Sequence, residues 1–348
     1  MMNQAEPKSR QLTVMVTGST GFVGFHTVLA LVDAGHDVRL LVRSPEKMKR
    51  VFEPMGLSGL PCIEGDITNQ ASVEQALDGC DAVVHAAAMV NVHARDSDRV
   101  LENNLQGTRF VLGGAAERGI DRMIQVSSTT ALFRPGATQI DESSPMGNAP
   151  SGYGRSKIEC DKLVRTYQDD GVPIYTTYPG TVLGPYDPGM SEGMLGLKLM
   201  LDAGMLMETT SGMQMIDVRD LALAHVALLE SGGPPDRYLM GGQYFEWHAY
   251  GDLLASVVGR PIPRITMPQA IYQFLGGVGE FVDHYVPLGM PLTRESTRYA
   301  TEWVETNDRH IKETIGLEYR NIGKTLYDAI FWLQGAGHLR RTYQLVAQ

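Results

Sequence analysis

The chain has 348 residues, 43% apolar and 20% charged, with 40 acidic against 30 basic side chains and a formal charge of -10. That length suits one large α/β unit with a smaller appended one. The acid surplus argues against sequence-independent nucleic-acid binding, which needs Lys and Arg to neutralise phosphates. Three widely spaced cysteines, Cys62, Cys80 and Cys160, form neither a disulfide framework nor a zinc motif and suit a reducing, cytoplasmic setting with no metal. The N-terminus is polar, and the most apolar stretch, 271–288, is broken by glycines, Glu280, Asp283 and His284, so a soluble chain with no membrane span is expected.

In chain order, an apolar run at 12–17 leads into a glycine-rich turn and a helical pattern at 22–34 that stops at Gly35. Further runs follow at 38–43, 61–66, 81–88, 122–128 and 173–178, separated by helical segments near 70–79, 97–118 and 154–169. Short apolar runs alternating with helices predict buried parallel strands with crossovers. The fold class is therefore α/β, a Rossmann-type doubly wound parallel sheet with a smaller, mostly C-terminal substrate-binding lobe. After Gly180 the alternation fades. Residues 184–215 read as loop-rich and methionine-rich, 217–231 as a helix, 236–242 as a strand and 245–259 as a helix. The expected division is a dinucleotide-binding domain at 11–180 and 216–242, a substrate lobe at 181–215 and 243–335, and flexible ends at 1–10 and 336–348.

The motif Thr17-Gly18-Ser19-Thr20-Gly21-Phe22-Val23-Gly24 follows the first strand and opens a helix. Gly18 permits a tight turn, Gly21 the close approach of a pyrophosphate, and Gly24 the packing of helix on strand. Gly18, Thr20, Gly21, Phe22, Val23 and Gly24 are thus candidate cofactor contacts. An enzyme selective for NAD usually carries an acid at the end of the second strand. Here Arg43-Ser44 stands there, and a guanidinium suits the 2′-phosphate of NADP(H). Lys47, Lys49 and Arg50 beyond it read as a solvated helix face. Asp66, with Ile67 beside it, closes the third strand where a carboxylate can accept from an adenine amino group. Ala86, Ala87 and Ala88 end the fourth, small enough to lie against the cofactor; His85 before them reads as a core histidine.

Tyr153 and Lys157 share one face of a helix at i and i+4. A neighbouring ammonium lowers a phenol's pKa, making Tyr153 a usable general acid/base, and Lys157 can also hold a nicotinamide ribose. The pair follows Ser127, Ser128 and Thr129, which end a strand and bring a hydroxyl to the same substrate oxygen.

With TGSTGFVG, LVRS, EGDIT, HAAA, NNLQGT, VSST, YGRSK and YPGTVLGP in order over roughly residues 12–260, the chain resembles an extended short-chain dehydrogenase/reductase of the epimerase/dehydratase superfamily. The similarity is closest to the dihydroflavonol reductase-like and 3β-hydroxysteroid dehydrogenase-like branch. It implies that Thr129, or Ser128 one place earlier, binds the carbonyl, that Tyr153 exchanges its proton and that Lys157 supports both. It also implies that Pro179, Gly180 and Val182 line the nicotinamide, that Asn104 steadies the site, and that a homodimer forms through helices around 97–118 and 151–170. Tyr178 departs from the Arg or Asn common among relatives. In this fold the segment 184–215 closes over the reacting carbon, with 89–93 opposite, and Asn91, His93 and Tyr178 are the polar groups able to orient a ligand. The expected activity is NADP(H)-dependent reduction of a ketone or aldehyde on a largely apolar small molecule. Oxidation of a 3β-hydroxysteroid-like alcohol and nucleotide-sugar epimerisation or dehydration are the alternatives.

Overall fold

The computed structural model describes residues 10–90, 97–149, 152–231, 234–285 and 292–348. In chain order the elements are β1 (Thr13–Thr17), α1 (Phe22–Asp33), β2 (Asp37–Val42), α2 (Pro45–Phe52), β3 (Cys62–Glu64), α3 (Gln70–Leu77) and β4 (Ala82–His85). Helix α4 (Ser97–Thr108) passes through a π turn (Arg109–Gly113) into α5 (Gly114–Glu117), before β5 (Met123–Val126), α6 (Gly152–Asp169) and β6 (Ile174–Pro179). Then come β7 (Thr181–Leu183), α7 (Glu192–Ala203), β8 (Leu206–Glu208), β9 (Gly212–Asp217), α8 (Val218–Ser231), β10 (Arg237–Met240) and β11 (Gln243–Glu246). The chain ends in α9 (Trp247–Val257), β12 (Arg264–Thr266), α10 (Gln269–Tyr285), α11 (Arg294–Glu302), α12 (Arg309–Ile315) and α13 (Ile322–Gly335).

The seven strands expected from the apolar runs form one sheet in the order β10-β6-β5-β4-β1-β2-β3, every pairing parallel. Except in the edge strand β3, their side chains are mostly buried on both faces. One face packs Val14, Val16, Val84 and Tyr238 against Phe25, Val28 and Leu221 of α1 and α8. The other packs Met15, Val83 and Met123 against Val73, Leu112 and Val164. The strand order reverses between β1 and β4, and ligands of such sheets bind at the carboxyl ends of the strands there.

Beyond β6 the structure is more regular than the sequence suggests. The span 184–215, read as loop-rich, holds α7, β8 and β9. Gly193 and Gly196 each cost α7 about 1 kcal/mol relative to alanine. Buried Met194, Leu197 and Leu201 offset this at about 1.5–3 kcal/mol apiece. Gly193 itself is dictated by packing, because a Cβ there would lie 2.6 Å from the Val182 carbonyl oxygen. Two small sheets, β11-β9-β7 and β12-β8, complete this region. Met194 and Met215 are fully buried in its core with Trp247, Tyr250 and Leu326. Those methionines are core, so they say nothing about the substrate.

Two further placements differ from expectation. Helix α12, within the span read as substrate lobe, packs Ile311 into the core of the large sheet. The last residues, expected to be loose, are held: Tyr343 is buried and donates its hydroxyl to Leu201 O, and Val346 N–H bonds Val257 O at 2.9 Å. Among the described residues, no helix is long and apolar enough to cross a membrane.

Candidate active site

The glycine-rich turn lies where β1 feeds α1. Gly18 has φ +71°, and a Cβ there would come within 2.6–2.8 Å of the Ala86 and Ala87 backbone. A Cβ on Gly24 would sit 2.3 Å from Gly18 O, so helix, turn and the end of β4 touch through backbone alone. Gly21 is exposed and caps α1 without a side-chain acceptor, leaving first-turn amides for an external anion. Thr20 is half-buried beside it. The Phe22 side chain is buried with Leu183 and Met194, and Val23 packs on the sheet core, so these two can offer a ligand only their backbone. Ser19 Oγ is buried with no hydrogen-bond partner. An orphaned hydroxyl, uncapped amides and a turn closed to any Cβ fit a dinucleotide pyrophosphate.

Arg43 is exposed at the end of β2, followed by Ser44, whose side chain caps α2 by accepting Lys47 N–H at 3.1 Å. Lys47, Lys49 and Arg50 all face solvent. Asp66 Oδ1 accepts from Thr68 N–H and Oγ1 at 2.9 and 2.8 Å, which fixes the turn after β3. Ile67 packs against Gly107 of α4. Ala86, Ala87 and Ala88 are half-buried along the cleft side of Gly18. His85 is a core residue: Thr17 Oγ1 lies 2.8 Å from Nδ1, and burial pulls its pKa to about 3.

The chemistry gathers where β5 meets α6. Lys157 is buried, donates from Nζ to Val126 O at 2.8 Å, and lies 5.5 Å from the Tyr153 ring centroid. Burial brings its ammonium down to about 8, with Cys160 and Asp161 acting in the opposite direction. The phenol of Tyr153 is pushed up, not down, because burial dominates; Glu192 adds to the rise and the Ser128 hydroxyl opposes it. The expectation that the neighbouring ammonium lowers the phenol is not met, because burial outweighs it.

The two neighbouring hydroxyls separate. Ser128 is half-buried and interacts with the phenol. Thr129 is buried and donates to Pro179 O at 3.1 Å, so of the two hydroxyls expected to bind the carbonyl this one is engaged within the protein. Ser127 N–H bonds Thr177 O at 2.8 Å while its buried hydroxyl has no partner. Asn104 spends its amide on protein: Nδ2 donates to Ser156 Oγ (3.0 Å) and Met89 O (3.1 Å), and Oδ1 accepts Met89 N–H (2.7 Å). It ties α4, the chain after β4 and α6 together rather than reaching a cofactor. Gly180 follows buried Pro179, and a Cβ there would meet Gly241 O at 2.4 Å; Val182 is half-buried next along.

Tyr178, expected to orient a ligand, is fully buried and donates to Asp161 Oδ1 at 2.6 Å, while Arg165 holds the other oxygen at 3.0 Å. A buried carboxylate needs both partners, so Tyr178 is structural. Asn91 and His93 lie outside the described residues. Sequence reasoning missed the groups nearest the phenol from later elements: Glu192 at the start of α7, and Glu295 and Tyr299 of α11. Burial raises both carboxyls, with Glu295 adding to the rise at Glu192 and Glu280 to that at Glu295, although Glu192 keeps contact with solvent, as expected of a cleft wall.

This fold and site define a class, the enzymes that hold a nicotinamide dinucleotide at the switch point of a doubly wound sheet. The model of the NAD dependent epimerase/dehydratase family matches residues 14–241, and the chain belongs to that family. It is 29% identical over 336 residues to the "Putative dihydroflavonol 4-reductase" of Synechocystis sp., covering 93% of this chain and 95% of the relative. It is 27% identical over 342 residues to cinnamoyl-CoA reductase 1 of Arabidopsis thaliana, covering 94% and 90%. The crystal structure of gox2253 matches with a TM-score of 0.77 at 25% identity, over 94% of this chain and 99% of that one. Within the family the chain is an extended short-chain dehydrogenase/reductase of the dihydroflavonol reductase-like branch.

Proposed function

We propose that the protein reduces a ketone or aldehyde of a largely apolar small molecule with NADPH, reversibly, in the cytoplasm. The carrying observation is the assembly of Tyr153, Lys157 and Ser128 at the carboxyl end of β5. When bound, NADPH would supply hydride to the carbonyl carbon. Ser128 orients the carbonyl oxygen, and the Tyr153 phenol passes its proton to that oxygen, giving the alcohol. Lys157 sits beneath the phenol and supports the tyrosinate that remains, which regains a proton from solvent. A phenol held protonated by its surroundings suits the reducing direction. The carboxyls of Glu192 and Glu295 beside it disfavour a diphosphate close to the reacting carbon, which counts against nucleotide sugars. The names of the two reductase relatives point the same way.

For the cofactor, Arg43 stands in the open where a 2′-phosphate would come, with no acid at 43 or 44. NADPH is expected to bind more tightly than NADH, and Arg43→Asp to reverse the order, read by fluorescence titration. Wild-type protein that binds NADH as tightly as NADPH would refute the assignment.

A further inference from the structure

We propose that Glu295 is a positioning residue for the reaction: its carboxylate, held by Tyr299, sits against Gly154 and fixes the first turn of α6, and so Tyr153, from the substrate side. The inference rests on the reading of Tyr153 as the proton-exchanging group. Glu295 Oε1 accepts the Tyr299 hydroxyl at 2.6 Å and takes support from the Gly154 N–H. Gly154 is the residue directly after Tyr153, and the fit is tight. A Cβ on it would lie 2.2 Å from Glu295 Oε1, 2.7 Å from Ala149 Cβ and 3.0 Å from the Tyr299 hydroxyl.

A helix needs acceptors for its first amides and favours negative charge there. The first turn of α6 contains no acidic residue. Both needs are met from elsewhere: Ser97 Oγ of α4 accepts Gly152 N–H at 2.6 Å, and Glu295 of α11 brings the carboxylate. Helix α11 is in turn fixed. Thr293 and Ser296 form a capping box, and Tyr299 packs edge-on against Phe133 and Trp303, with centroids at 5.1 and 5.6 Å. Trp247 Nε1 donates to Ala300 O at 2.8 Å, and Ser211 Oγ to Trp303 O at the same distance. The region that would cover the substrate thereby sets the position of the catalytic helix end.

Charge adds a second effect. The groups facing the phenol are Glu192 from α7, Glu295 and Tyr299 from α11, Lys157 and Cys160 from α6, and the Ser128 hydroxyl. Two carboxylates among them favour the protonated phenol, the form that donates.

The test uses the full chain with Glu295→Ala, Glu295→Gln and Tyr299→Phe. Amide exchange followed by mass spectrometry needs no turnover, so it stands apart from the reductase reading. Peptides covering the start of α6 should exchange roughly tenfold faster in Glu295→Ala and stay near wild type in Glu295→Gln, whose amide oxygen still accepts. With benzylideneacetone and NADPH, kcat should fall about tenfold in Glu295→Ala and return to near wild type in Glu295→Gln, with KM for NADPH unchanged in both. Unchanged exchange in Glu295→Ala, or no recovery of protection in Glu295→Gln, overturns the proposal. If Glu295→Ala unfolds throughout, Tyr299→Phe decides: local loss of protection at α6 supports the clamp, and wild-type protection refutes it.

Discussion

Ser128 and Thr129 are adjacent hydroxyls that the backbone sends in different directions. The 3-10 turn beginning at Thr129 turns that side chain inward to Pro179 O and leaves Ser128 at the cleft. Ser128→Ala should therefore lower kcat by about 10²-fold with little change in Tm. Thr129→Val should cost about 1 kcal/mol of stability and leave kcat near wild type. The reverse pattern in kinetics and thermal melts would return the carbonyl to Thr129. Tyr153 and Lys157 are legible from sequence because one helix fixes their spacing. Glu295 is not, because nothing local joins α11 to Gly154; only the tertiary fold does. Tyr178 misleads for a related reason, since its position in the chain says nothing of the buried Asp161 awaiting its hydroxyl.

Among the elements, the strands of the large sheet are legible because a parallel strand covered on both faces must be a continuous apolar run. Each observed strand falls on the expected run to within a few residues, the largest difference being β4, which ends at His85 while the run continues to Ala88. The turn between β1 and α1 is equally legible, since only glycine meets the contacts at 18 and 24. Helix α7 is hidden by its glycines and revealed only by the core it covers. Strands such as β7, β8 and β12 have three residues each, too few for a period to register, and exist through their pairing partners. The same lack of local signal leaves the methionines ambiguous in sequence and settles Met194 and Met215 as core in the fold.

For the whole molecule, three buried histidines predict how stability responds to acid. His26 is held at about 4, and His85 and His225 at about 3, each chiefly by burial. All three stay neutral in the native state and take a proton on unfolding below about pH 6.5. Because the folded values lie below the unfolded one, stability falls as pH drops from 6.5 towards 4, by up to about 1.4 kcal/mol per unit for each histidine. His225, held between Thr27 and Thr177 hydroxyls at 3.0 and 3.2 Å, is the cleanest probe. His225→Gln should be less stable at neutral pH, yet lose stability more gently on acidification in urea melts. A slope equal to wild type would show that this burial does not govern the titration.

The central claim is that this site transfers hydride and a Tyr153 proton to an apolar carbonyl. Its most direct test follows NADPH absorbance for wild type and Tyr153→Phe against benzylideneacetone, a steroid ketone and farnesal, alongside chromatography of UDP-glucose and GDP-mannose incubated with each protein and cofactor. The account predicts turnover of at least one apolar carbonyl, lost by about 10²-fold or more in Tyr153→Phe while NADPH binding persists. Conversion of a nucleotide sugar with the apolar panel inert, or full activity in Tyr153→Phe, would contradict it.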